Sequence, residues 1–462
     1  MYRVLPLKMR RSITATAALL ALLATAVATP TASADERGLS GRLSAAMGSS
    51  GSWSGAYVYN ADSGRPVFAW RHTAPRILAS NTKLFTTSAA LARFGVRGKL
   101  ATEVRGTGKL GERGVYRGNL YLVGGGDPTF GSKSFTSRAY GGGATVETLA
   151  AQLDRAGIER VAGRVYGDES AFDSLRGGPD SGYGTSIWVG PLSGLGYNRG
   201  LASENGSSFQ ANPPAFAAAR LTDALRQRGI ALSGSATAGF APGSARILAA
   251  VESPTMARLA ALTNKPSDNY FAEMLVKALA MQAATPDLGA SEVSPRSGSQ
   301  AERGNLARAL ATAAQTQAQR GIVARATTAA GAKIAARFAK RIGGRPSRLA
   351  DGSGLSRLDR ASPYRVVKLL LAMRKRDEFR PFVRSLSIAG RDGTLGSRMR
   401  SGPARGHCRG KTGTLSDVSA VSGYCRARSG DTYAFSILMN GVDPYGARAI
   451  QDQMLQALAG VR

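Results

Sequence analysis

Residues 96–255 are built of short strand-like runs, such as 119–123, parted by glycine-rich turns such as Gly124-Gly125-Gly126-Asp127-Pro128. The patterning on either side is helical. Before them, a helix is expected to begin near Ser80 and to run through Leu84, Phe85, Ala89 and Leu91 to Phe94. After them, helical spacing returns at 256–262 and 267–280. Two such unlike patterns do not share one regular core, so 96–255 is expected to be a strand-rich module of one or two parts, inserted into a domain formed by 35–95 and 256–462. Residues 53–70 read as two strands around an Asp-Ser-Gly turn. The stretch 446–461 spaces Ile450, Met454, Leu455 and Leu458 as a closing helix. Residues 286–345 are turn-rich at first, then Ala-rich and basic, and are expected to be an elaboration of the second part.

The first 34 residues set the compartment. Arg3, Lys8, Arg10 and Arg11 precede an apolar run over 13–28, and Ala32-Ser33-Ala34 supplies a small-x-small site. This is the layout of a secretory signal, with cleavage expected after Ala34. No later run approaches the roughly 20 apolar residues that a membrane span needs, so the exported chain is expected to carry no transmembrane segment. An oxidising compartment favours disulfides. Cys408 and Cys425 lie equally far from a turn at 415–418, between HCRGKTGT and VSAVSGYC, so a simple hairpin sets them opposite each other as a disulfide pair.

Charge and rare residues narrow the chemistry. The chain has 61 Lys and Arg against 30 Asp and Glu, a formal net charge of +31, which predicts attraction to an anionic partner. Export argues against nucleic acid. With 2 His and 2 Cys, no metal centre is expected, nor any other cofactor. The same scarcity argues against a Ser-His-Asp triad, because neither His72 nor His407 accompanies a nucleophile-elbow sequence.

Three short motifs carry an alternative. In Ser80-Asn81-Thr82-Lys83, positions three apart on a helix share a face, so Lys83 can reach the Ser80 hydroxyl. A lysine acts as a base only when burial or a nearby cation keeps it neutral. Ser267-Asp268-Asn269 sets a hydroxyl and an amide at the start of a helical run, where they can relay a proton and hold a substrate amide. Lys411-Thr412-Gly413-Thr414 falls on an expected edge strand, where an extended peptide can add and Gly413 allows close approach. Each motif alone is weak: a surface pair, a capping turn and an ordinary strand would look the same.

In this order, SxxK, SxN and KTG resemble the set of penicillin-binding proteins and serine β-lactamases. The flanking ASNTKLFTT, NLYLVGGGDPT, NKPSDNYFAEML, DGSGLSR, GRDGTL and GKTGTLSDVSAVSGY are similar to D-alanyl-D-alanine carboxypeptidases of the low-molecular-mass class C penicillin-binding proteins. That resemblance implies an α/β (α+β) transpeptidase/β-lactamase-like domain, with an antiparallel sheet flanked by helices and split by the insertion. It implies Ser80 as acylated nucleophile, Lys83 as its base and Ser267 as proton relay. Asn269, Lys411, Thr412 and Gly413 would bind substrate, and the N–H groups of Ser80 and Thr414 would form the oxyanion hole. The partners implied are peptidoglycan stem peptides, β-lactams as covalent inhibitors and, given the charge, anionic cell-wall polymers. Two positions depart from the family pattern: Leu78 stands where Pro is common, and Asp359 where Asn is common. The alternatives to a cell-wall DD-peptidase are a β-lactamase or esterase, and a catalytically weak protein that binds the wall through its basic surface.

Overall fold

The computed structural model describes residues 34–283 and 325–462. The signal reading of residues 1–33 and the basic reading of 284–324 lie outside it. The split domain is organised on a six-stranded antiparallel sheet whose order is Ser387–Ile388, Cys408–Leu415, Val418–Arg426, Thr432–Asn440, Ser54–Asn60, Arg65–Trp70. The first long strand of the chain therefore pairs with the last. Cys408 faces Cys425 in register and the two are joined as a disulfide.

Alternation along the strand Thr432–Asn440 sorts two cores. Phe435, Ile437 and Met439 face the helices Ala34–Gly48 and Pro444–Ala459, where they meet Leu39, Leu43, Met454 and Leu455. Ala434 and Leu438 face the other way, into a larger core with Leu84, Phe85, Phe271, Leu275 and Leu370. That core is made by the helices Thr82–Phe94, Met256–Asn264, Asn269–Ala283, Thr328–Arg341 and Pro363–Arg374.

Of the segment 286–345, residues 325–345 are described. They carry the helix Thr328–Arg341, whose Ala332, Ala335, Phe338 and Ala339 enter the larger core. Small residues allow this contact: a Cβ on Gly331 would lie 1.7 Å from the Val276 carbonyl oxygen on the helix Asn269–Ala283. The basic residues that caught the eye in the sequence, Lys333, Arg337 and Lys340, lie on its exposed face.

The segment 96–255 has its own sheets and its own core, but it is less purely strand-built than its sequence suggests. A five-stranded mixed sheet and a four-stranded sheet are packed by the helices Val146–Arg155 and Pro213–Arg226, through Leu149, Leu153, Leu221 and Leu225. Thr145 and Asn212 cap these helices by accepting the Thr148 and Ala215 N–H groups.

Residues 169–199 tie the insertion to the split domain. Phe172, Val189 and Leu192 join its larger core. Lys277, fully buried on the helix Asn269–Ala283, donates to Asp173 Oδ1 at 2.6 Å and to the Leu175 carbonyl at 2.9 Å. Truncating one partner of such a pair leaves a buried ion uncompensated. Asp173→Ala is expected to destabilise the protein by about 3–5 kcal/mol in chemical unfolding. The double variant Asp173→Leu/Lys277→Met is expected to recover most of that loss.

Candidate active site

The helix that carries the first motif enters through one 3₁₀ turn, Ala79–Asn81, before Thr82–Phe94. Ala79 has φ 45°, an unusual backbone conformation for a residue with a side chain, held from two directions. Gly354 packs on its carbonyl so closely that a Cβ there would lie 1.8 Å from the oxygen. Gly413 packs on the other side, where a Cβ would lie 2.9 Å from the Leu78 oxygen and 3.0 Å from the Ser80 nitrogen. The departure at position 78 is used: the Leu78 N–H, which Pro would lack, donates to the Asp359 carbonyl at 3.0 Å.

Lys83 is fully buried, and its Nζ lies 3.0 Å from Ser80 Oγ. It also donates to Asn269 Oδ1 at 2.7 Å and to the Ser353 carbonyl at 2.7 Å. A neutral amine has two N–H bonds and one lone pair. Both N–H bonds have acceptors here, which leaves the lone pair for Ser80. Burial lowers the Lys83 pKa to about 8 against the opposing pull of Asp351 and Glu273.

Three buried carboxylates shape the turn that offers Ser353. Glu273 accepts the Gly352 and Ser353 N–H groups at 3.0 and 2.8 Å, and Asp351 accepts those of Gly354 and Ser356 at 2.7 Å each. Asp359 accepts the Thr82 hydroxyl at 3.2 Å. Burial and the charge of Asp351 push Asp359 well above the usual carboxylate range, and Glu273 up to about 8.

The second motif sits at the start of the helix Asn269–Ala283. Asp268 caps it by accepting the Phe271 N–H at 3.0 Å, and Ser267 precedes the cap at φ 63°. Asp268 is also paired with Arg199 of the insertion at 2.5 Å, and that guanidinium stacks over Tyr270 and Phe271. Asn269 Nδ2 donates to the Trp188 carbonyl at 3.2 Å. The insertion thus holds Asp268 and Asn269 of the second motif.

The third motif lies on the strand Cys408–Leu415. Its neighbour Ser387–Ile388 pairs only with Gly410 and Arg409, so residues 411–415 keep a free edge on that side. This edge borders a cleft of about 710 Å³ lined by Ser80, Ser267, Asn269, Thr412, Gly413 and Thr414. Thr412 Oγ1 donates to Thr394 Oγ1 at 2.6 Å, and Arg448 to Thr414 Oγ1 at 3.4 Å. Lys411 is placed differently from the other motif residues. It is fully buried, donates to the Thr412 carbonyl at 2.8 Å, and is held well below an ordinary lysine pKa by burial and by Lys83. Further cleft residues were not singled out from sequence, among them Trp188, Thr394, Tyr445 and Arg448. Thr394 falls in the GRDGTL stretch, whereas nothing local in the sequence brings Trp188 or Arg448 to the cleft. Among the described residues no cluster of His, Cys, Asp and Glu could hold a metal.

Residues 41–195, 198–297 and 303–461 match the D-Ala-D-Ala carboxypeptidase 3 (S13) family. The chain belongs to that family. By this membership it is a serine D-Ala-D-Ala carboxypeptidase of the penicillin-binding protein fold. The match runs through residue 303 onward without a break, so much of the Ala-rich segment falls inside it. The chain is 26% identical to the D-alanyl-D-alanine carboxypeptidase of Actinomadura sp. (strain R39), over 88% of this chain and 81% of that one. Its fold is similar to the crystal structure of penicillin binding protein 4 (dacB) from Haemophilus influenzae, with a TM-score of 0.68 and 20% identity over 89% of this chain and 97% of that one. The same protein complexed with a β-lactam gives a TM-score of 0.65 at 19% identity, over 89% and 98% of the two chains.

The contact between Gly413 and the Ser80 turn has little slack, since a misplacement of about 1 Å at a reacting centre can cost roughly 10²-fold in rate. Gly413→Ala is expected to lower D-alanine release from a D-Ala-D-Ala peptide by about 10²-fold. Its melting temperature is expected to fall somewhat, because the Leu78 and Ser80 backbone must shift to admit the Cβ.

Proposed function

We propose that the chain cleaves the terminal D-Ala-D-Ala bond of peptidoglycan stem peptides through an acyl-enzyme on Ser80. The observation that carries this reading is the placement of Lys83. Its two N–H bonds are engaged and its lone pair faces the Ser80 hydroxyl. Lys83 takes the Ser80 proton as Oγ attacks the carbonyl carbon of the penultimate D-alanine. The tetrahedral oxyanion lies between the N–H groups of Ser80 and Thr414, each worth on the order of 3 kcal/mol in the transition state. Collapse breaks the C–N bond, and Ser267 passes a proton to the departing D-alanine amine. Water then hydrolyses the Ser80 ester and restores the enzyme.

The free edge at 411–415 suits an extended peptide bound as an added strand. Asn269 orients the substrate amide, and Thr412 receives the terminal carboxylate. That carboxylate would also favour the charged form of Lys411, which is otherwise held down by burial. Cleavage of cross-bridges is the same chemistry with the amine of a second stem peptide leaving, and a β-lactam would leave a stable ester on Ser80. The disulfide supports action outside the cytoplasm, in keeping with the signal read over residues 1–34. The net charge of +31 supports attraction to anionic wall polymer.

Benzylpenicillin is expected to add its full mass to the protein, on Ser80, with none added to Ser80→Ala. Absence of both an adduct and D-alanine release would overturn the reading, and rapid turnover of the drug would favour a β-lactamase. Because the base must be neutral, its active fraction grows as pH passes upward through the Lys83 pKa of about 8. The acylation rate is expected to rise about tenfold per pH unit below that value and to level off above it, as followed by intact mass under limiting drug.

A further inference from the structure

A second cavity, of about 400 Å³, opens at the start of the strand Cys408–Leu415. The reaction cleft borders the other end of that strand. Arg400, Arg405, His407, Arg426 and Arg428 line it, with the end of the helix Pro444–Ala459 as part of its wall. Among the described residues no carboxylate lines it. Among the described residues none of its four arginines has a salt bridge, although acids elsewhere in the chain pair with many others. The acid closest in the chain, Asp431, is turned to the Ser429 hydroxyl. Arg391 extends the positive surface, packing over Gly406 between two of the lining residues.

Four guanidinium groups around one opening repel each other, and among the described residues no salt bridge to them offsets that repulsion. The framework is nevertheless firm. Cys408 and Cys425, each next to a lining residue, are bonded to each other. The Arg426 N–H donates to the His407 carbonyl at 3.0 Å, and the Arg428 N–H to the Ala459 carbonyl at 3.2 Å. These are backbone bonds, so the side chains keep their donors for a ligand. Guanidinium forks match the paired non-bridging oxygens of phosphate. A lone carboxylate would balance only one of the four charges, whereas successive phosphates along a polymer balance several.

The geometry points to this arginine-lined cavity as a binding site for the phosphodiester groups of an anionic cell-wall polymer. The inference rests on the attraction to wall polymer proposed above and gives that attraction a location. At about 3.3 Å per residue, five residues of strand from His407 to Thr412 span roughly 17 Å. A polymer strand held there keeps the cleft close to wall peptides and raises their effective concentration without touching the chemistry.

The test uses the mature protein, poly(glycerol phosphate) as probe, and a salt series. Arg400→Gln/Arg405→Gln and Arg426→Gln/Arg428→Gln are each expected to weaken binding at least tenfold and to lower the slope of log affinity against log salt by about 1–2. Arg226→Gln/Arg246→Gln removes the same charge from exposed positions of the insertion and is expected to change binding less than threefold. D-Alanine release from a soluble peptide is expected to stay unchanged in the cavity variants, whereas release from isolated walls falls. Full benzylpenicillin labelling of each variant confirms that it is folded. If the parent binds no polymer, both the proposed attraction and the site fail. If it binds and the cavity variants bind as well as the parent, or the control loses as much as they do, the site alone fails. Tighter binding to phosphatidylglycerol vesicles than to the polymer overturns the polymer as ligand.

Discussion

A single amine without water around it is what the rest of the architecture must satisfy. Lys83 is removed from solvent, so its charged form is disfavoured and its neutral form needs acceptors for two N–H bonds. Those acceptors, with the hydroxyl that meets its lone pair, come from Ser80, Asn269 and Ser353. These three positions are far apart in the chain, and each needs its own support. Ser80 is held by Gly354 and Gly413, and Ser353 by the Glu273 carboxylate. Asn269 is held by the Trp188 carbonyl. The cluster of Glu273, Asp351 and Asp359 would raise the lysine pKa steeply if fully ionised. Burial and mutual repulsion keep part of it protonated, which moderates that pull.

The insertion is part of this support and not an appendage. Its Arg199 pairs with Asp268 and lies over Tyr270 and Phe271, while Lys277 reaches back to Asp173. The Ser267–Asn269 segment is thus clamped between a helix of one unit and a loop of the other. A compact domain without the insertion would need another way to hold Ser267 at φ 63°.

Much of the site was legible in the sequence because its chemistry is concentrated in short motifs. Ser80, Lys83, Ser267, Asn269, Thr412, Gly413 and Thr414 come together, and the hairpin symmetry placed Cys408 against Cys425. What could not be read depends on distance in the chain. Trp188, Arg448 and Arg199 reach the site only through tertiary packing. Lys411 was read as a substrate-binding charge, and its side chain is fully buried, which the sequence did not reveal. The helix Thr328–Arg341 was obscured because alanines, not large apolar residues, form its inner face. In the insertion, frequent glycines outweighed the capping signals at Thr145 and Asn212-Pro213 that mark two real helices.

The pairing of Ser54–Asn60 with Thr432–Asn440 joins two segments that lie on opposite sides of the insertion. The insertion closes on contacts within itself and can collapse while the chain is still being made. The catalytic sheet cannot, because its first hairpin pairs with a strand that follows the insertion. Closing so long a loop costs conformational entropy before the strand pairing can repay it. The reaction cleft therefore takes shape only when segments on both sides of the insertion have met.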